Sequence, residues 1–527
     1  MRKIIIFIIF LSFHLLGFNQ NQRWETYIGV SNRNDYLNSL IEYYDKGYYL
    51  VCGFEYEKGW NVKTDINGNK LYEKVFEYES YPINGIGVTI DENGNQYYCG
   101  TIWPDGVTSW PFISKFDSCG EKLWCRIIIM NQYMFGGSRD ILINEDDELV
   151  LLVRFESMEK INQIFLIGLD PYANILWINP YASKSNYPEI GQTSGYTLSK
   201  INELYIISGY CYWPYPNNPN HKFLRPFFIG IDSIFNEKWI LPFAVMDSVY
   251  GDAYSAIALN DSVYMGVGVR WLEGYNNNSL LMFFNNNGQG LDFKQIPNEA
   301  IGQNIDFNGI QDVERINDTL FLTPSYLGID MDQYFGEFII DTAGTIHKME
   351  IRGIYTGISS LVKTFNNKFV IEIEVEENKG DNNILLYKIN ENLESVPFDT
   401  NQYTYDSLCP HQIQSGTIDL SDCLIWTDIG EIPTPKEYYA KLKTIPIKAY
   451  PNPAKEKITF GFENTQYHQN MLLQCFDVFG CKVHKEKIYK GQLETEINVT
   501  QWSEGLYVAV IKSNGKVLGK VKFMVLR

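Results

Sequence analysis

A strand–turn–strand pattern recurs seven times along this chain and constrains its fold more than any other feature. In the copy from Pro111 to Arg126, apolar and polar residues alternate over Phe112–Phe116, and Asp117-Ser118-Cys119-Gly120 has turn composition. An Asp or Asn marks the start of the turn in every copy, at intervals of 49 to 62 residues. The markers are Asp65, Asp117, Asp170, Asp232, Asn285, Asp341 and Asn390.

A second hairpin precedes each copy, so one repeat contains four strands. Four-stranded units repeated about 4 to 8 times are typical of a β-propeller, in which neighbouring blades cover each other and ring closure hides the sheet edges. The sequence therefore predicts an all-β chain with a seven-bladed β-propeller over residues 21–404. Trp24–Ile28 resembles an outer strand, and we expect it to pair into the last blade. An open solenoid and two β-sandwiches are the alternatives, but neither requires near-constant spacing.

The first 20 residues have the composition of a secretory signal peptide. Arg2 and Lys3 precede an apolar run from Ile4 to Leu16, which is too short to span a bilayer as a mature helix. No other apolar stretch reaches spanning length. We therefore expect a mature protein without a transmembrane segment that is secreted or attached to the outer-membrane surface.

The cysteines suggest one disulfide in an oxidising compartment. There are nine, so at least one stays unpaired. We predict a Cys409–Cys423 disulfide, since both lie in one loop-rich segment; Cys119 with Cys125 and Cys475 with Cys481 are weaker candidates. The remaining three are interpreted as small buried hydrophobic residues: Cys52, Cys99 and Cys211.

Charge is distributed unevenly. Residues 445–527 contain 12 basic and 7 acidic residues, whereas residues 21–444 contain 30 basic and 56 acidic residues. Because an acidic body repels phosphates, we expect no nucleic-acid partner. Solubility is the simplest explanation of this charge.

The chain changes character after residue 404. Prolines in Ile432-Pro433-Thr434-Pro435 indicate a linker over 405–444, followed by a last domain over 445–527. Short alternating strands in that domain predict a small immunoglobulin-like β-sandwich.

The last domain resembles the type A C-terminal sorting domain of the type IX secretion system of Bacteroidetes. The resemblance depends on four motifs: Ala449–Ala454, the strand-and-turn segment Leu472–Val483, Ile497–Val508 and the basic strand Lys520–Phe523. The residues that carry the motifs are Pro451, Asn452, Pro453, Gly480, Gly505, Tyr507, Lys520 and Lys522. Cys481 departs from the family, which usually has a basic residue there. An adhesive immunoglobulin-like module is the alternative.

The resemblance implies an export route. The folded tail would be recognised by the outer-membrane translocon and commonly removed by a sortase-like protease. The product would then be released or fixed to the cell surface.

No catalytic set can be identified in the repeats. Histidines are scattered without metal-ligand spacing, so we predict no metal and no cofactor. Asp65–Asn69 and Asp91–Asn95 faintly resemble calcium loops but are better explained as hairpin turns.

Loop aromatics are the candidate ligand-binding residues, because exposed rings suit sugars or peptide side chains. They are Trp60, Trp103, Trp110, Trp213, Tyr215 and Trp271. The alternative is that these rings seal gaps between blades. We expect a binding or adhesion protein, with a glycan or surface polymer as the ligand class. An extracellular glycan-acting hydrolase or lyase and a structural coat component are the other possibilities.

Overall fold

The computed structural model describes residues 24–526 except 31–32, 55–57, 80, 146, 216–217, 244–249, 272–276, 303, 331, 355–356, 358–359, 379–380, 428–431, 442–444, 463–470, 490 and 514–515. The predicted signal segment 1–20 lies outside the described residues.

Within the described part of the chain, residues 25–389 form seven sheets whose strands follow one another in chain order. The strands are β1 (Glu25–Ile28); β2 to β5 (Asp35–Glu42, Tyr48–Phe54, Lys58–Thr64, Lys70–Glu77); β6 to β9 (Ile83–Ile90, Gln96–Ile102, Trp110–Phe116, Lys122–Ile128); β10 to β13 (Tyr133–Ile143, Leu149–Ser157, Asn162–Leu169, Ile175–Tyr181); β14 to β17 (Thr193–Ile201, Leu204–Tyr215, Asn218–Ile231, Glu237–Pro242); β18 to β21 (Gly251–Ala258, Val263–Arg270, Asn278–Asn285, Gly290–Ile296); β22 to β26 (Ile305–Ile310, Glu314–Arg315, Leu320–Ile329, Asp332–Asp341, Ile346–Ile354); and β27 to β29 (Ser360–Lys363, Phe369–Asn378, Asp381–Ile389). Sheets 1 to 6 are the groups from β2–β5 to β22–β26, and sheet 7 is β27–β29 with β1. A short helix, Asn298–Ile301, joins sheets 5 and 6.

The seven marker residues predicted from the sequence share one role in the turns. In each turn the marker side chain accepts hydrogen bonds from the backbone N–H groups two and four residues later, as Asp65 does from Asn67 and Asn69. The residue three positions after the marker has a positive φ in all seven turns, even where it is Phe235 or Leu393. The turn is an Asx-type device in which the side chain replaces a backbone acceptor. These contacts confirm the hairpin interpretation of Asp65–Asn69.

The sheets follow one another in a propeller-like arrangement. The first strands of sheets 1 to 5 contact each other in sequence, and β2 of sheet 1 also contacts β27 of sheet 7. β1 pairs antiparallel with β29, which confirms that the N-terminal strand completes the last sheet. Trp24, just before β1, is buried and donates its indole N–H to the carbonyl of Ile66, 2.9 Å away in sheet 1. The start of the chain therefore ties the last sheet to the first.

The core lies between neighbouring sheets. The middle strands are buried on both faces, as in β7, where every residue is buried. Outer strands such as β5 alternate between buried and accessible residues. The difference arises because neighbouring sheets pack on both faces of a middle strand. A strand buried on both faces has a largely continuous apolar sequence.

Residues 405–426, predicted as part of a linker, are instead bound to the outer edges of sheets 1 and 2. β30 (Gly416–Asp419) pairs parallel with β5, and β31 (Leu424–Trp426) pairs parallel with β9. Two disulfides fix the same segment, Cys119–Cys409 and Cys125–Cys423. The predicted Cys409–Cys423 pair is therefore wrong. The segment runs alongside sheet 2, so each of its cysteines meets a partner across the sheet edge rather than its neighbour in sequence.

A helix, Pro435–Lys441, continues this attachment on sheet 3. Its start carries a capping box, in which the Glu437 N–H donates to the Thr434 hydroxyl and the Glu437 carboxylate accepts from Thr434. The buried Tyr439 hydroxyl donates to Glu148 over 2.9 Å. Side chains, not only strand pairing, hold this part of the chain to the body.

The tail forms two facing sheets. One is β32–β33–β36 and the other is β35–β34–β37–β38. The strands are β32 (Ile447–Tyr450), β33 (Lys457–Phe462), β34 (Met471–Phe476), β35 (Lys482–Ile488), β36 (Glu494–Asn498), β37 (Gly505–Ser513) and β38 (Lys516–Val525). Their inward residues share one apolar cluster that includes Phe460, Leu473 and Phe523. On the body side, Lys487 pairs with Asp147 at 2.9 Å and with Glu92 at 3.3 Å.

Candidate functional site

The first strands of sheets 1 to 5 each contain a β-bulge at an equivalent place. The ladder skips one residue there; in β14, for example, Gly195 pairs with Gly209 and Thr197 pairs with Ser208, leaving Tyr196 as the extra residue. The bulged residues are Asn38, Ile86, Arg139, Tyr196 and Tyr254. All five are partly accessible, in strands whose neighbouring positions are largely buried. A bulge changes the direction of a side chain. These five side chains therefore point in directions that a regular ladder would not allow.

Glycines on the second strand make three of these bulges possible. A Cβ on Gly209 would lie 1.9 Å from the Ser194 carbonyl oxygen, and one on Gly268 would lie 2.0 Å from the Asp252 carbonyl oxygen. A Cβ on Gly100 would likewise lie 2.0 Å from the Asn84 carbonyl oxygen. The backbone of the first strand approaches the second too closely for any side chain there.

Two arginines of sheet 3 lie close enough for their charges to interact. Arg154 on β11 is opposite Gly137, which is two residues before the bulged Arg139 on β10. Burial and the neighbouring Arg154 lower the pKa of Arg139 to about 10. Among the described residues, neither side chain has a carboxylate partner, and the Arg139 Nε is buried without a hydrogen-bond acceptor. The pair is therefore a site of uncompensated positive charge.

Tyrosines from sheets 4, 5 and 6 continue this surface. The ring of Tyr196 lies 5.4 Å from that of Tyr254 and 5.8 Å from that of Tyr210, and Tyr212 follows at 6.4 Å from Tyr210. Burial raises the pKa of Tyr196, while Arg139 and Arg154 act against that rise. Because the pKa values of Tyr196 and Tyr210 are raised, these two phenols stay protonated at neutral pH and can both donate and accept hydrogen bonds.

Asp252 lies among the tyrosines. Only 3% of this residue is exposed, and burial raises the pKa of its carboxyl group to about 7. Its charge in turn raises the pKa of Tyr196, Tyr210 and Tyr326. The Oδ1 atom has no hydrogen-bond partner in the described structure. A carboxyl group that titrates near neutrality can hold or release a proton under physiological conditions.

We name this surface the inner-strand cluster. It consists of Arg139, Arg154, Tyr196, Tyr210, Asp252, Tyr254 and Tyr326. None of these residues is among those predicted from the sequence. A small residue on each side of a larger one, as in Gly85-Ile86-Gly87 and Gly195-Tyr196-Thr197, marks four of the five bulges, and Leu37-Asn38-Ser39 lacks it.

Most of the predicted ligand-binding aromatics do not form an exposed surface. Trp60 is 1% exposed and Trp110 is 6% exposed, so the prediction that they present free rings to a ligand is wrong. Each donates its indole N–H internally, Trp60 to Glu73 and Trp110 to Thr108, both over 3.0 Å. They fill the spaces beside their sheets, which is the alternative that the sequence left open.

The other four differ from one another. Trp213 is half-buried against the apolar cluster between sheets 3 and 4. Trp103 is half-buried in a turn closed by the Gly106 N–H, and the side chain of Tyr215 lies outside the described residues. Trp271 is 37% exposed and contacts the 36% exposed Tyr250 edge to face, with ring centroids 5.6 Å apart. Burial, and after it Tyr212 and Asp252, raise the pKa of Tyr250, so this aromatic pair lies beside the inner-strand cluster.

One group of potential metal ligands occurs among the described residues, Cys119, Cys409 and His411. Both cysteines are in a disulfide, so neither offers a thiolate. Free cysteines in the described structure are Cys52, Cys99, Cys211, Cys475 and Cys481, of which Cys481 is exposed.

The predicted sorting residues stabilise the tail sandwich. Asn452, between Pro451 and Pro453, accepts from the Met524 N–H and donates to the Lys522 carbonyl, which fastens the first motif to the last strand. Gly480 closes the turn after Asp477 with a φ of 80°.

The other sorting residues lie on the second sheet. Tyr507, on β37, which begins at Gly505, is buried and donates to the Ser503 carbonyl over 2.7 Å. Lys520 and Lys522 are exposed on β38 and leave a basic edge accessible.

The fold and the tail together define an exported all-β protein with a propeller-like body and a C-terminal sandwich. Residues 448–525 match a family model described as a secretion system C-terminal sorting domain. The tail is a type IX secretion sorting domain, as its motifs predicted, and the protein is secreted or attached to the outer-membrane surface. No helix in the described ranges is long and apolar enough to cross a membrane.

The body has weaker likenesses. No curated protein matches the chain at a significant level. Among solved structures, a polysaccharide lyase described as an ulvan lyase has a TM-score of 0.45 and 9% identity, covering 69% of this chain and 96% of its own. Drosophila Plexin A in complex with Semaphorin 1b has a TM-score of 0.38 and 10% identity, covering 69% and 86%. Trypanosoma rangeli sialidase has a TM-score of 0.36 and 8% identity, covering 69% and 59%. With TM-scores below 0.5, these likenesses assign no activity.

Proposed function

We propose that this protein is an extracellular glycan-binding or adhesion protein that binds its ligand on the inner-strand cluster. The body, residues 21–404, closes into a seven-bladed β-propeller, and the contact of β2 with β27 supports this closure. The first strands then surround the propeller axis, where propellers commonly bind ligands.

We further propose how the protein reaches the surface. Residues 1–20 act as the signal peptide, and residues 445–527 form an immunoglobulin-like sandwich that the type IX translocon recognises. A sortase-like protease then removes this sandwich. Residues 405–444 connect the two parts, and their disulfides keep the connection attached to the body after cleavage.

The observation that carries the binding proposal is the row of bulged residues. Arg139, Tyr196 and Tyr254 come from three consecutive sheets, and a bulge makes each partly accessible. Tyrosine offers a flat apolar face for a sugar ring and a hydroxyl for its polar edge. Trp271 and Tyr250 extend this aromatic surface outward.

A glycan array probed with purified residues 21–444 tests the proposal. We expect binding to one or more glycans and a loss of at least about tenfold in affinity for Trp271→Ala, which removes a stacking partner. Tyr172→Ala is the matched control, because Tyr172 is 69% exposed and belongs to the turn between β12 and β13. Equal losses in both variants, or no glycan bound, would contradict the proposal.

A glycan-cleaving enzyme is the second candidate, and Asp252 favours it. A carboxyl group with a pKa near 7 can serve as a general acid or base at neutral pH. If the protein cleaves glycans, a bound glycan should yield new reducing ends or unsaturated products. The Asp252→Asn variant should then form none of these products. A binding protein predicts no product from any glycan that it binds.

A further inference from the structure

Two arginines without a counter-ion are costly in a partly buried surface. Arg139 and Arg154 lie on the adjacent strands β10 and β11, where Arg154 is opposite Gly137. The two positive charges repel each other, and the low polarity of the buried surroundings strengthens this repulsion. Burial, and after it the charge of Arg154, lower the pKa of Arg139.

Guanidinium groups match oxoanions that offer two oxygens. Each guanidinium presents a fixed fork of N–H donors that pairs with two oxygens of a carboxylate or a sulfate ester. An oxoanion between Arg139 and Arg154 would satisfy the buried Nε of Arg139 and remove the repulsion between the two cations.

The tyrosines fit the rest of a sugar. Tyr196 interacts electrostatically with both arginines, and the ring of Tyr254 lies 5.4 Å from that of Tyr196. An acidic residue of a polysaccharide would place its charged group on the arginines and its ring and hydroxyls against the phenols.

We propose that the inner-strand cluster recognises an anionic saccharide, with its carboxylate or sulfate ester bound by Arg139 and Arg154. This inference rests on the proposed glycan-binding function and names its ligand class. The remainder of the body is acidic, so recognition is local: the two arginines, not the overall charge, select the anion.

Three polymers test the inference: polygalacturonate for carboxylate, chondroitin sulfate for sulfate with carboxylate, and dextran as a neutral polymer. Binding to residues 21–444 is measured by calorimetry at about 0.15 M salt. At this salt concentration the Debye length is about 8 Å, so the repulsion between the acidic body and an anionic polymer is screened. We expect binding to at least one charged polymer and none to dextran. Polygalacturonate binding identifies carboxylate as sufficient, whereas binding of chondroitin sulfate alone shows that the carboxylate of polygalacturonate is not sufficient.

The variants Arg139→Gln and Arg154→Gln remove one charge each. We expect each to weaken binding at least about tenfold, since each removes charged donors that would pair with the anion. Lys238→Gln is the control, with the same change of charge at an exposed position on β17. A thermal melt of every variant excludes misfolding as the cause.

The outcomes separate the two proposals. Dextran binding as strong as that of the charged polymers, or unchanged affinity in both arginine variants, would overturn the inference while leaving a glycan-binding function. No binding to any of the three polymers, together with a blank glycan array, would overturn the function itself.

Discussion

Tyr196 and Tyr254 belong to different sheets, yet their ring centroids lie 5.4 Å apart. Each is the extra residue of a bulge in the first strand of its sheet. Between them, the Thr197 hydroxyl donates to the Tyr254 carbonyl over 2.9 Å and fixes sheet 4 against sheet 5. Each bulge therefore both packs sheet 4 against sheet 5 and makes a tyrosine ring accessible. A change to the bulge should affect both the packing and the accessibility of the ring.

The glycine opposite the Tyr196 bulge provides a test of the bulge geometry. Gly209→Ala places a methyl group 1.9 Å from the Ser194 carbonyl oxygen, so the strands must separate. We expect a loss of about 1–3 kcal/mol in the free energy of unfolding, measured by chemical denaturation. Gly416→Ala is the control, because nothing lies within 4 Å of the added carbon. Similar stability of both variants would contradict the close approach.

Disulfide mapping tests the attachment of residues 405–426. Non-reducing digestion followed by mass spectrometry should yield peptides that join Cys119 to Cys409 and Cys125 to Cys423. Under native conditions a thiol reagent should label Cys481 first, since it is exposed. A peptide that joins Cys409 to Cys423 would contradict this account.

Asp252 makes stability depend on pH. Burial raises the pKa of its carboxyl group from 3.8 to about 7, so the folded protein holds this proton more tightly than the unfolded chain does. As pH rises above about 4, the unfolded chain loses the proton first, and stability falls until about pH 7. Asp140 and Asp312, each with a pKa of about 6, and Glu314, at about 7, act in the same direction.

The variant Asp252→Asn removes this contribution. We expect its free energy of unfolding to exceed that of the wild type by about 2 kcal/mol at pH 8, with the difference shrinking toward pH 4. Denaturant titrations of both proteins at several pH values measure this difference in the free energy of unfolding. Parallel pH profiles for the two proteins would show that Asp252 does not carry a raised pKa.

Removal of the sorting domain tests the export route. A chain that ends at residue 444 but keeps residues 1–20 should accumulate in the periplasm, because the translocon has no tail to recognise. Fractionation and immunoblotting compare it with the full chain and with a Cys481→Lys chain, which should be exported normally. Export of the truncated chain would contradict the role of the tail.

Local signals allowed much of the fold to be predicted. The hairpins, the seven marker residues and the N-terminal strand all depend on patterns within a few residues, and the Asx-type turns explain why Asp or Asn recurs. The tail was recognised because its motifs are closely spaced near the end of the chain.

Long-range contacts could not be predicted in the same way. Cys119 and Cys409 are 290 residues apart, and only the parallel pairing of β30 and β31 with sheets 1 and 2 brings such partners together. Arg139 and Tyr196 look like ordinary strand residues in sequence. Only the register shift at each bulge reveals that they are partly accessible.

A crystal structure of residues 21–444 with an acidic oligosaccharide tests the central claim most directly. The account predicts the carboxylate or sulfate within hydrogen-bonding distance of Arg139 and Arg154, with a sugar ring against Tyr196 or Tyr254. An oligosaccharide bound only elsewhere, such as on the outer strands, with the two arginines unoccupied, would contradict it.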